Sequence, residues 1–216
     1  KDIFNIGTPR FPVQYVIRPK TEDFHDFRGY AGKVYGGELS VGDEVVALPS
    51  QTKSKIKSIH FYDKTYETAS RRSSVTITLE DDINVSRGDM IVKTNDLPIV
   101  DKQFTATVCW MDSEKLATGG KYIVQHGVNK VLAKVDQIHH KINPDYSGID
   151  ESVDALGMND IASVSFKLNK PVFYDAFKKH RTNGSFILID SKSNNTVGAG
   201  FIQYKIMQSF RTELAV

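Results

Sequence analysis

Apolar positions along this chain recur mostly with a period of two. Val75, Ile77 and Leu79 alternate with Thr76 and Thr78, and Phe104, Ala106, Val108 and Trp110 alternate with Thr105, Thr107 and Cys109. Val164, Phe166 and Leu168 alternate in the same way with Ser163, Ser165 and Lys167. Such alternation predicts strands with one face on a core and the other in water, because successive side chains of a strand point to opposite faces. Val45–Leu48 and Phe186–Ile189 are short unbroken apolar runs that fit strands buried on both faces, a helix being the alternative that a run alone leaves open.

Turn signals punctuate the runs. Gly36–Gly37, Val41–Gly42–Asp43, Arg87–Gly88–Asp89, Gly119–Gly120 and Asn183–Gly184 each supply residues that accept the positive φ of a tight turn. Phe173–His180 alone reads as a helical turn, cut short by Pro171. Many short strands with few helices predict an all-β chain of antiparallel barrels or sandwiches. The polar stretch Thr94–Lys102, with Pro98, separates two strand patterns and predicts a linker. The expected domains are therefore 1–97 and 98–204, followed by a tail over 205–216 in which Met207, Phe210 and Leu214 stand at helical spacing. Asn143–Asp154 is expected to be a long loop inside the second half.

Composition narrows the class without naming a chemistry. The chain has 216 residues, 40% hydrophobic and 25% charged, which is ordinary for folded domains and too long for one of usual size. No apolar run approaches the roughly 20 residues that span a bilayer, and the charged start Lys1–Asp2 does not read as a signal peptide, so no membrane partner is expected. One cysteine, Cys109, excludes an internal disulfide and a multi-cysteine zinc site, and fits a cytoplasmic setting. A net charge of +2 without a clustered basic stripe gives no support for nucleic acid.

Gly29-Tyr30-Ala31-Gly32-Lys33-Val34 is two residues too short for a phosphate loop, and Val34 stands where a hydroxyl must reach Mg²⁺. Asn129-Lys130-Val131-Leu132 and Asn169-Lys170-Pro171-Val172 lack the carboxylate that reads guanine. Gly198-Ala199-Gly200-Phe201-Ile202-Gln203 has Gln203 for the last glycine of a dinucleotide fingerprint. His139 and His140 are strand neighbours that point apart, with Asp136 as the only nearby ligand type. Glu80-Asp81-Asp82 reads as a solvated strand end. Lys53, Lys55 and Lys57 read as a basic row facing solvent. No residue is expected to be catalytic, to bind a cofactor or to hold a metal. Arg28, Tyr30 and Arg181 are the candidates for a partner interface, being Arg and aromatic types at hairpins.

Longer strings are more specific. They are Arg10-Phe11-Pro12-Val13-Gln14-Tyr15-Val16, Asp26-Phe27-Arg28-Gly29-Tyr30-Ala31-Gly32, Leu39-Ser40-Val41-Gly42-Asp43-Glu44-Val45 and Ser86-Arg87-Gly88-Asp89 in the first half. The second half adds Trp110-Met111, Leu156-Gly157-Met158-Asn159-Asp160-Ile161-Ala162, Arg181-Thr182-Asn183-Gly184-Ser185-Phe186-Ile187-Leu188-Ile189-Asp190 and Thr196-Val197-Gly198-Ala199-Gly200. Together they resemble the two barrels that follow the GTPase domain in elongation factor Tu-like translational GTPases. Most closely they resemble the large, GTP-hydrolysing subunit of bacterial sulfate adenylyltransferase.

The resemblance implies two tandem antiparallel β-barrels of the elongation-factor domain 2 and domain 3 type. It implies a parent protein in sulfate activation, where ATP and sulfate give adenosine 5′-phosphosulfate and pyrophosphate. GTP and Mg²⁺ would belong to a preceding GTPase domain that this sequence does not include, and ATP to the complex with a catalytic small subunit. The chain itself is expected to be a non-catalytic module that positions that small subunit and the GTPase domain, the alternative being an RNA-binding barrel pair of a translation factor.

Overall fold

The computed structural model describes residues 7–18, 27–70, 72–145 and 147–203. The tail pattern around Met207, Phe210 and Leu214 lies outside the described residues. The chain divides into two compact units. The first is Lys1–Val100 with His126–Asn129 and Val172–Asp175, and the second is Asp101–Gln125, Lys130–Pro171 and Ala176–Val216.

Among the described residues, the strands of the first half are β1 Gly7–Ile17, β2 Gly29–Lys33, β3 Tyr35–Gly37, β4 Leu39–Ser40, β5 Glu44–Leu48, β6 Thr52–Phe61, β7 Lys64–Tyr66, β8 Thr68–Ala69, β9 Ser74–Leu79 and β10 Met90–Lys93. Six of them run in the order β10-β5-β6-β9-β2-β1, and β10 pairs with β1 to close the ring. Closure is antiparallel, with Phe11 opposite Ile91 and Pro12 opposite Met90. Its interior is apolar, built from inward residues such as Phe11, Val13, Tyr30, Val45, Ile56, Ile59, Ile77 and Ile91. Alternation explains the outside as well. Val46 and Leu48, out of phase with Val45 and Ala47, join Met90, Val92 and Phe173 in a second apolar cluster. That is how the run Val45–Leu48 comes to be buried on both faces.

The described residues of the second half form β11 Ile99–Trp110, β12 Leu116–Ala117, β13 Lys121–His126, β14 Asn129–Ile142, β15 Ile149–Asp150, β16 Ala155–Leu156, β17 Ile161–Tyr174, β18 Ser185–Ile189 and β19 Thr196–Ile202. The order β13-β18-β19-β11-β17-β14 closes through a β13–β14 pairing into a second six-stranded antiparallel barrel. Phe104, Phe166 and Phe186 meet in its core, with ring centroids 5.0 to 5.9 Å apart. Gly200 makes room for them, since a Cβ there would lie 2.2 Å from the Phe186 ring.

The expected all-β fold of two antiparallel barrels is the fold found. Three details differ from the sequence reading. Phe173 and Tyr174 end β17, and only Ala176–His180 makes a turn, in which the His180 amide donates to the Ala176 carbonyl. Asn183–Gly184 has no positive φ; Gly184 is required because a Cβ would lie 2.5 Å from the Phe177 backbone. The stretch expected as a linker is already strand from Ile99 onward.

Candidate partner interface

The matched strings are largely turn devices. In Ser40–Asp43, Ser86–Asp89 and Gly157–Asp160 the last residue's amide donates to the first residue's carbonyl, at 3.0 to 3.1 Å. In each, the aspartate carboxylate accepts the first residue's amide at 2.8 to 2.9 Å. The third residue is left-handed each time: Gly42 at φ +87°, Gly88 at +93° and Asn159 at +70°. Asp or Asn side chains that hold their own turn are an ordinary solution for a sharp reversal. Surroundings then split two of the carboxylates. Burial pushes Asp89 above the usual carboxylate range, and the Ser86 amide only partly opposes it. Burial also pulls Asp160 upward, but Lys141, 3.0 Å away, and the Gly157 amide outweigh it and leave it lowered.

The three interface candidates have different surroundings. Arg28 is part-exposed and pairs with Asp82 at 2.5 Å. Tyr30 is a correction to the expectation. Its ring is in the first barrel's core, 2% exposed, and its hydroxyl donates to the Ile83 carbonyl at 3.2 Å. Burial raises its pKa. Arg181 is exposed in the second unit, and its carbonyl accepts the Ser185 hydroxyl at 2.6 Å. Within the first unit the Arg28 side chain is in hydrogen-bonding reach of the Tyr30 hydroxyl, so these two are neighbours, and Arg181 belongs to the second unit.

The residues rejected as phosphate-binding run along β2, where Tyr30, Ala31 and Gly32 pair with both β1 and β9. A backbone committed to two ladders presents no amide cradle to a phosphate. His139 Nε2 meets the Ser165 hydroxyl at 2.5 Å, and that hydroxyl meets Thr105 Oγ1 at 2.8 Å. Asp136 turns to Lys167 instead, at 3.1 Å. The first barrel repeats this Ser–His–Thr arrangement, with Ser58 2.7 Å from His60 Nε2 and bonded to Thr78 Oγ1. Each serine is held on both sides and cross-links neighbouring strands. Among the described residues no three His, Cys, Asp or Glu side chains come together as a metal group.

Outward-facing side chains carry the clearest candidate surface. Lys53, Lys55 and Lys57 are exposed along β6 while Ser54 and Ile56 point inward, as the alternation predicts. The same strand runs into β7 through Tyr62 and Asp63. There Phe61, Tyr62 and Tyr66 are 44, 89 and 45% exposed. The Phe61 and Tyr62 rings pack edge to face at 4.6 Å. Sequence reasoning passed over these aromatics, although three aromatic residues in the short polar stretch Phe61–Tyr66 were a visible signal. In the second unit, Phe201 is also exposed and its ring packs at a tilt against Phe177, centroids 4.4 Å apart.

Sulfate adenylyltransferase subunit 1 of Bacteroides fragilis is 43% identical over 199 residues, covering 92% of this chain and 40% of that protein. This chain is a relative of sulfate adenylyltransferase subunit 1. A second subunit 1, from Alteromonas mediterranea, is 43% identical over 200 residues. The bifunctional enzyme CysN/CysC of Mycobacterium tuberculosis is 39% identical over 199 residues, with 32% of its length covered. The chain thus spans about 40% of the length of the subunit 1 proteins it matches. Residues 103–203 match the family described as GTP-eEF1A C-terminal domain-like. Among solved structures, Sup35 complexed with GDP matches with a TM-score of 0.80 at 14% identity, covering 93% of this chain and 48% of that one. At that identity the likeness to Sup35 is one of fold alone.

Proposed function

We propose that this chain is the non-catalytic barrel module of a sulfate adenylyltransferase large subunit, holding a GTPase domain and the catalytic small subunit in register. The observation that carries it is the 43% identity to subunit 1 over 92% of the chain. The two closed barrels support it. Their matched strings serve as turns and packing positions, while their exposed residues include aromatic and basic types suited to contacts. In this reading GTP and Mg²⁺ belong to a GTPase domain outside these two barrels. ATP and sulfate belong to the complex, and the setting is the cytoplasm.

The test is to mix the purified chain with the small catalytic subunit of the same organism and follow complex formation by size-exclusion chromatography and calorimetry. A defined complex is expected. If only a longer protein that includes the GTPase domain binds, the barrels are passive supports and the reading fails.

A further inference from the structure

From Thr52 to Tyr66 the chain carries Lys53, Lys55, Lys57 and Lys64 against Asp63, a net charge of +3 where the whole protein has +2. These residues are exposed on the β6–β7 hairpin. Phe61 pairs with Lys64, so Tyr62 and Asp63 form a two-residue turn. Such turns favour Gly, Asn or Asp at the first position because it needs a positive φ. Tyr62 occupies that position at φ +55° with its side chain 89% exposed. Left-handed backbone costs an ordinary residue roughly 1–2 kcal/mol. Tyr62 packs edge-on against Phe61, itself 44% exposed, and with so much of the ring in water the fold gains little from the tyrosine in return.

We infer that the β6–β7 hairpin is a protein-docking arm. Tyr62, Phe61 and Tyr66 are its anchors, and the lysine row is its rim, facing an acidic surface of the partner. Aromatic anchors ringed by charge are the arrangement that concentrates binding energy at protein interfaces. Charge complementarity selects the partner's chemistry, an acidic rim around an apolar socket. Glu44 stands opposite Lys55 and Asp63 sits beside Tyr62. Carboxylates among the lysines suit a mixed protein rim better than a continuous phosphate track. The inference rests on the proposed function and assigns this arm to the small subunit.

The experiment titrates the small subunit against the full 216-residue chain by calorimetry at several salt concentrations. The variants are Tyr62→Gly, the triple Lys53→Glu/Lys55→Glu/Lys57→Glu, and Lys192→Ala as a control on an exposed turn of the second unit. Tyr62→Gly should leave Tm nearly unchanged, because relief of the left-handed tyrosine offsets glycine's extra freedom when unfolded. It should weaken binding about tenfold or more. The triple variant should weaken binding and flatten its salt dependence, and the control should bind as the parent does. If the parent binds and both hairpin variants bind equally well, the inference falls and the proposed function stands. If the parent binds at no salt concentration, the proposed function falls and this inference with it. If a single-stranded oligouridylate binds, and Tyr62→Gly abolishes that without affecting the small subunit, the occupant is nucleic acid and the assignment is overturned.

Discussion

Arg10 and Asp175 are 165 positions apart in the chain and form a bidentate pair inside the first unit. Arg10 Nε donates to Asp175 Oδ2 at 2.8 Å and Nη2 to Oδ1 at 3.0 Å, with the side chains 0% and 2% exposed. Arg10 Nη1 also donates to the Asp96 carbonyl at 2.6 Å. A guanidinium this deep is tolerable because its fork is matched by a carboxylate fork and a carbonyl.

Removing Asp175 takes the bidentate carboxylate from a buried guanidinium and leaves it the part-exposed Asp96 carboxylate, 3.5 Å away. Asp175→Ala is expected to destabilise the protein by about 3–5 kcal/mol, whereas Arg10→Met/Asp175→Leu should cost much less. Denaturant unfolding of the two single variants and the double variant checks this. Additive losses would show that the pair is not coupled.

The glycine at the third position of two aspartate turns separates backbone from side-chain effects. Gly42 has open space around it, so Gly42→Ala should cost only the left-handed backbone penalty of roughly 1–2 kcal/mol. At Gly88 a Cβ would also lie 2.4 Å from Asn129 Oδ1, and Asn129 Nδ2 donates to the Gly88 carbonyl at 2.8 Å. Gly88→Ala should therefore be the more damaging, and Gly88→Ala/Asn129→Ala should recover part of the difference in Tm. Equal losses at the two glycines would refute the role given to Asn129.

Packing at Gly200 predicts an overpacking loss in the second barrel. Gly200→Ala drives a methyl group into the Phe186 ring and should cost about 1–3 kcal/mol. Phe186→Leu in the same chain should relieve the clash while losing aromatic contacts with Phe104 and Phe166. Thermal unfolding of the single and double variants is the measurement.

Acid stability should depend on Asp160. Its pKa is lowered in the folded chain, so its stabilising contribution is present above the unfolded carboxylate pKa and lost as pH falls through the folded one. Asp160→Asn should lower Tm at neutral pH and flatten the fall in Tm through the acid range. A variant whose Tm falls with acid as steeply as the parent's would show that Asp160 is not the titrating group. Asp89 acts with the opposite sign. Its raised pKa favours the folded state below the unfolded carboxylate pKa, and that advantage disappears as pH rises through the folded value.

The sequence by itself determined the main alternating strands, the facing of their side chains and the glycine turns such as Val41–Asp43 and Arg87–Asp89. Period-two patterns such as Phe104–Trp110 and left-handed glycines such as Gly42 and Gly88 are local, and local sterics decide them. It also determined the family resemblance, because the matched strings are continuous in the chain. Tertiary structure alone decided what depends on distant pairing. Tyr30 and Arg28 are two residues apart, yet Arg28 precedes β2 and meets Asp82 at the surface, while Tyr30 lies on the strand, turns into the core and reaches the Ile83 carbonyl. Nothing local marks Arg10 as a buried charge; only the fold brings Asp175 to it. Tyr62 drew no reading from the sequence, and only the pairing of Phe61 with Lys64 fixed its left-handed backbone and left its ring in water. Strand register and barrel closure join residues far apart in sequence, and the burial and charge environment that decide a side chain's role exist only after they form.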